Sequence, residues 1–328
     1  MSVKPVAMRD AFLDCIWRAM SEDPKIFFVS ADFGSPVLDR IREQFPDRFV
    51  NVGIAEQNLI NISAGLALEG YKVFAYAIAP FVTMRCYEQI RVSLALLSEL
   101  RQMNVTLIGV GAGYSYVVSG PTHQCYEDIT AMRALPNVRV LSPADHIVAA
   151  ALFQRCLATP GPKYLRLDAQ VLPIVHSTAA LDVSNGFQVL REGSEVCLVA
   201  TGYMVHTALS VAERLSAGGE SIGVVDLFDI TGFAEDRFLR VLRSYAGVVT
   251  MEEGFRGRGG VDSMMFDLLA RSNVRKPICN IGVEPGYRFD LGTRAELHEQ
   301  VGIGVEAVSK KVREFAGSLP VPETYGAK

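Results

Sequence analysis

The chain has 328 residues, which is room for two domains of ordinary size. Hydrophobic residues make up 49%, which excludes a disordered chain. The formal net charge is −4 with Lys and Arg scattered, so no basic stripe is present to hold nucleic acid. No charge-free apolar run reaches the roughly 18–20 residues of a membrane span, and the start of the chain is not leader-like. The six cysteines (Cys15, Cys86, Cys125, Cys156, Cys197, Cys279) form no CxxC pair, and the five histidines share no metal-ligand spacing. The expectation is a cytoplasmic chain with buried, reduced thiols and no metal ligands of its own.

In chain order, the opening residues 1–15 read as an amphipathic helix. "KIFFVSAD" (25–32) reads as a buried strand and "RFVNVG" (48–53) as a second. A small-residue helix follows that carries Glu56 near its start. "YKVFAYAIA" (71–79) is a third strand, with the helix "MRCYEQIRVSLALL" (84–97) behind it. "MNVTLIGVGAG" (103–113), "VRVLSPA" (138–144) and "KYLRLD" (163–168) are further strands, and "DHIVAAALFQRCLA" (145–158) is a helix. Short apolar strands alternating with helices predict a parallel sheet with helices on both faces. Sites in such sheets gather at the carboxyl ends of the strands. Residues 173–186, "PIVHSTAALDVSNG", are polar and aperiodic. A second series follows: strands at 195–202, 221–228, 247–253 and 277–283, with helices at 204–219, 236–246, 261–270 and 305–317. "GFRGRGG" (254–260) lies between a strand and a helix, so it reads as a turn rather than an RNA-binding tract. The fold expected is α/β in two domains, each a mostly parallel sheet flanked by helices. The boundaries are 1–175 and 187–328, with a linker at 176–186.

Glu56 raises the chemical question, because an acid in an apolar run is costly unless something pairs with it. One reading is an acid in a helix's first turn, favoured by the macrodipole; the other is a proton-handling catalyst. Two further segments, "APFVTMRCYEQI" (79–90) and "SGPTHQCYEDI" (119–129), decide between them. With "NVGIAEQN" (51–58), in this order and spacing, they resemble the pyrimidine-binding and C-terminal portions of the transketolase family. That family includes 1-deoxyxylulose-5-phosphate synthase and the beta subunits of 2-oxo acid dehydrogenases.

The resemblance implies thiamine diphosphate chemistry, in which the coenzyme's thiazolium carbon must lose a proton to become nucleophilic. Glu56 matches the glutamate that hydrogen-bonds the aminopyrimidine N1′. Burial among Ile, Leu, Ala and Gly favours its proton-bearing form, the direction this role requires. Phe81 matches the ring under the pyrimidine, with Val82 as the alternative because of one residue of length difference. Ile78 takes a place that is often aromatic. Asp32 matches an aspartate near the cofactor, or is a strand-end cap. His123 matches the histidine that contacts substrate oxygens, which favours the sugar-processing branch. Arg85 matches a site arginine of the synthase branch, or is a surface arginine.

Three departures sharpen the expectation. Ser119 stands where an acceptor-reading aspartate is usual. Gly111, Ala112 and Gly113, followed by Tyr114 and Tyr116, stand where a phosphate-binding basic group is often found. In that same second departure, Ala169 stands at another phosphate-binding arginine position, with Arg166 close by as a substitute. At least one substrate is therefore expected to be an unphosphorylated or nucleotide-linked sugar. Third, no "GDG" segment occurs, so nothing in the chain cradles a diphosphate or its Mg²⁺. The expectation is the C-terminal subunit of a split transketolase, paired as α2β2 with a GDG-bearing N-terminal-type partner. The alternatives are a 1-deoxyxylulose-5-phosphate-synthase-like or 2-oxo acid decarboxylating subunit, and a non-catalytic regulatory subunit.

Overall fold

The structure, a computed structural model, describes residues 4–320. The first unit runs α1 (Met8–Glu22), β1 (Ile26–Ser30), α2 (Pro36–Gln44), β2 (Phe49–Asn51), α3 (Glu56–Leu68) and β3 (Lys72–Ile78). A helical stretch follows, with α4 (Tyr87–Gln89) between two π-helical pieces, Phe81–Arg85 and Ile90–Leu96. Then come β4 (Asn104–Val110), α5 (Asp128–Arg133), β5 (Arg139–Leu141), α6 (His146–Ala158) and β6 (Gly161–Leu167). The sheet order is β2-β1-β3-β4-β6-β5, and every pairing is parallel.

Strand alternation sorts this core onto two faces. Phe74 and Tyr76 of β3 join Phe12 of α1 and Phe153 of α6 on one side. Val73, Ala75 and Ala77 join Leu59 and Ile60 of α3 and Ile90 and Leu94 on the other. Phe12, Phe74 and Phe153 lie 5.7–6.0 Å apart between centroids, two of the three pairs edge-to-face. With both faces covered, the central strands need no polar side and read as continuous apolar runs.

The second unit holds β7 (Phe187–Arg191), β8 (Val196–Ala200), α7 (Met204–Ser216), β9 (Ile222–Leu227), α8 (Glu235–Arg243) and β10 (Gly247–Phe255). It ends with α9 (Val261–Arg271), β11 (Ile278–Val283), α10 (Arg294–Gln300) and α11 (Val305–Gly317). Its sheet order is β11-β10-β8-β9-β7, parallel except for β7, which runs antiparallel to β9. Residues 256–260 turn the chain from β10 into α9, as the strand-to-helix reading expects.

A buried polar seam joins the two units. Arg294 of α10 reaches Asp168, just past β6, at 2.6 Å, and grips both oxygens of Glu253 on β10 at 3.0 and 2.5 Å. His298 adds a third contact to Glu253 at 2.6 Å. Burial alone would raise the Glu253 carboxyl, but Arg294 and His298 outweigh it and hold it well below the usual carboxylate range. The connecting segment is also pinned. His176 is buried between Asp145, the N-cap of α6, at 3.2 Å and Asp226 of β9 at 3.3 Å. No helix of the described residues is long and apolar enough to cross a membrane.

Candidate active site

The candidate residues sit where strand ends meet the next elements. Glu56 is the first residue of α3, close behind β2. Ile78 ends β3, Phe81 opens the helical stretch after it, and His123 lies on the loop after β4. All are at the carboxyl edge of the parallel sheet, where loops diverge and leave room for a ligand.

Glu56 is 2% exposed, beneath the apolar packing of Leu59, Ile60 and Ala64. It is not isolated. Arg85 Nη1 lies 2.6 Å from Glu56 Oε2, with side chains 44% and 3% exposed respectively. This corrects the expectation of a purely apolar setting: a cation from the neighbouring helical stretch compensates the buried charge. Glu56 Oε1 accepts no hydrogen bond among the described residues. The Arg85 guanidinium also stacks 4.4 Å over the Phe81 ring. The Cys86 thiol, beside this acid, is pushed up to about 12 by burial and then by the charge of Glu56.

The chain makes a π-helical turn at Phe81–Arg85, which holds both Phe81 and its alternative Val82. A π-turn absorbs one extra residue within a helix, which matches the length difference seen in sequence. Val82 is wholly buried in the core. Phe81 is half-buried, and its ring meets His123 edge-on at 5.3 Å. Ile78 is half-buried at its strand end.

His123 sits in a turn, with its backbone N–H donating to the Gly120 carbonyl at 3.1 Å. Its Nδ1 is 3.0 Å from Thr122 Oγ1, while Nε2 has no partner among the described residues. Tyr116 packs edge-on to His123 at 6.2 Å. The glycines before it have a steric reason. A Cβ on Gly111 (φ +107°) would fall 2.1 Å from the Tyr116 ring, and one on Gly113 (φ +53°) would fall 2.3 Å from the Glu253 carboxylate. The position expected to lack a basic group is thus filled by a phenol ring. Burial pushes the Tyr116 hydroxyl up to about 12, so it stays neutral.

The remaining candidates divide. Asp32 is exposed, at φ +49°, and exchanges two hydrogen bonds with Asn51: its N–H donates at 3.1 Å and its Oδ1 accepts at 3.0 Å. Those bonds hold a backbone conformation unusual for a non-glycine residue and tie the ends of β1 and β2 together. Ser35, a weaker candidate, caps α2. Ser119 is exposed on the loop before His123. Arg166 is a correction. It is 2% exposed, its Nε lies 2.7 Å from Asp128 Oδ2, and its Nη2 donates to the Glu253 carbonyl at 3.1 Å. It braces the seam and has no free face for a substrate. Among the described residues no group of three or more His, Cys, Asp or Glu could hold a metal ion.

The chain is thus a two-unit α/β protein with a buried glutamate, an aromatic ring and a histidine at one sheet edge. Sequence comparison places it more closely. Residues 4–174 match the transketolase pyrimidine-binding domain, and residues 186–308 match the transketolase C-terminal domain. The chain belongs to the transketolase family. It is 30% identical over 308 residues to the 6-deoxy-6-sulfo-D-fructose transketolase subunit SqwH of a Clostridium species (strain MSTE9), covering 94% of each chain. It is 29% identical over 317 residues to an apulose-4-phosphate transketolase subunit of Phocaeicola vulgatus, covering 96% of this chain and 99% of that one. Among solved structures, a split gene transketolase described as an inactive beta4 tetramer superposes with a TM-score of 0.84 at 31% identity. That match covers 97% of this chain and all of the other.

Proposed function

We propose that this chain is the C-terminal-type (beta) subunit of a two-component, thiamine-diphosphate-dependent transketolase. It transfers a two-carbon ketol unit from a ketose to an aldehyde and works only with a partner subunit. The observation that carries this reading is Glu56: a buried carboxylate with one oxygen free of protein hydrogen bonds, beside a half-buried aromatic ring. That pair suits an aminopyrimidine, with a carboxyl group for the ring nitrogen and a ring face for stacking. Two of the most similar relatives are themselves named as transketolase subunits, and they are matched over nearly their full length.

Thiamine diphosphate, when bound, would supply a nucleophilic carbon for ketol transfer. Glu56 would hold a proton at the pyrimidine nitrogen. Phe81 orients the ring, and Ile78 and the apolar base of α3 exclude water. His123 offers its free Nε2 to substrate oxygens and to negative charge developing on them. The diphosphate and Mg²⁺ belong to a partner carrying the Gly-Asp-Gly segment, assembled as α2β2, in the cytoplasm.

The finer substrate reading is that at least one sugar is unphosphorylated or nucleotide-linked. Two arginines near the site already have buried carboxylate partners: Arg166 with Asp128, and Arg294 with Asp168 and Glu253. Tyr116 fills the space over Gly111. The test is a substrate panel with the reconstituted pair, including neutral, nucleotide-linked, sulfonated and phosphorylated sugars. Neutral or nucleotide-linked sugars should be preferred at least tenfold; a preference for xylulose 5-phosphate with ribose 5-phosphate would overturn the substrate reading.

A further inference from the structure

Arg85 touches both halves of the proposed pyrimidine cradle. Its Nη1 pairs with Glu56 at 2.6 Å, and its guanidinium lies 4.4 Å over the Phe81 ring. The two partners are unequal. Glu56 is enclosed, whereas the Arg85 side chain is 44% exposed on a π-helical turn and has solvent to move into. Among the described residues no other cation pairs with Glu56. The neighbouring groups do not substitute. Gln57 and Asn58 of α3 are uncharged, and Gln57 reaches only the Arg85 carbonyl, at 3.4 Å. Cys86 stays a neutral thiol. Glu88 is turned to Arg91 at 3.1 Å, and His123 faces Phe81. A ligand that stacks on Phe81 and bonds Glu56 therefore meets the Arg85 guanidinium on both groups.

We propose that Arg85 is a positioning residue that keeps Glu56 as an aimed carboxylate and yields it when the aminopyrimidine docks, so that loading takes up one proton. The inference rests on the thiamine diphosphate reading above. The balance is simple. The Glu56–Arg85 ion pair opens, the guanidinium turns to solvent still charged, and one proton from the buffer is taken up between the Glu56 carboxyl and the pyrimidine nitrogen. No bond to carbon changes. Without the guanidinium no cation is left to pair with the buried Glu56 among the described residues, and an unpaired buried charge is disfavoured.

The experiment is calorimetric titration of the reconstituted complex with thiamine diphosphate and Mg²⁺ at neutral pH, in buffers of different ionisation enthalpy. These titrations count protons directly, without turnover. The readout is the difference between wild type and Arg85→Gln, which cancels protons exchanged by the diphosphate. Wild type should take up about one proton more per site than Arg85→Gln, and its affinity should weaken about tenfold more per pH unit through the neutral range. Arg85→Lys, which keeps a cation, should restore the uptake. Equal uptake in wild type and Arg85→Gln would overturn the inference while leaving the coenzyme assignment standing. A complex that binds no thiamine diphosphate would overturn the assignment and this inference with it.

Discussion

Two buried glutamates, Glu253 in the domain seam and Glu56 at the sheet edge, show how differently one residue type can be used in one chain. Glu253 is enclosed on all sides. Arg294, itself buried, takes both oxygens, and His298 adds a third contact. Glu56 is buried as deeply, but its partner is half exposed and one oxygen is free. A saturated ion network fixes two domains in one orientation. An unsaturated one holds a group ready for a ligand. The seam is satisfied on every side, whereas Glu56 keeps one oxygen without a partner among the described residues.

That contrast can be broken by substitution. The largest effect is expected at Glu56→Gln, which keeps the shape and removes the acid. Turnover of the reconstituted pair should fall about 10²–10⁴-fold, with the thermal midpoint of the isolated chain little changed. Unchanged turnover would favour a regulatory subunit. Next, Glu253→Gln strands the Arg294 guanidinium, and chemical denaturation should show a loss of about 3–5 kcal/mol. If Glu253→Gln were as stable as wild type, the seam would not be the brace described. His123→Ala should lower turnover about 10²-fold or more with folding intact; a variant that instead melts early would make His123 structural.

The smallest expected effect is one of pH. Burial disfavours the His176 imidazolium, but Asp145 and Asp226 outweigh it and lift it to about 9. A raised folded-state value means the stabilisation is fully present below the free imidazole's value. It is lost as pH rises through about 9, leaving two buried carboxylates against a neutral ring. Stability should therefore fall on the alkaline side, and His176→Gln should flatten that limb. An identical alkaline profile in both proteins would remove His176 from the domain contact.

Much of this was readable from the sequence, for identifiable reasons. The two-domain α/β series was legible because buried parallel strands are continuous apolar runs. Glu56 stood out because a carboxylate stands at the start of the apolar, small-residue helix α3. The edge strand β7, between the polar stretch and the strand read at 195–202, was not read, since its mostly half-buried residues show no apolar run. α10 is short, but its start was available in "TRAE", the Thr293–Glu296 capping box. Pairings made by folding left no trace. Arg85 lies 29 residues from Glu56, and Arg166 lies 38 from Asp128. One pair sits at the open edge and the other in the seam, so two arginines that looked alike in sequence have opposite situations. The segment reads as a linker from its polarity, yet His176 within it is buried and held from both domains.

The central claim is that this chain carries half of a thiamine site and needs a second polypeptide for the rest. The direct measurement is two-carbon transfer from a ketose to an aldose, with thiamine diphosphate and Mg²⁺, by the purified chain alone and after co-expression with a Gly-Asp-Gly-bearing partner. The account predicts no turnover alone and turnover with the partner. Full activity from the single chain would contradict it.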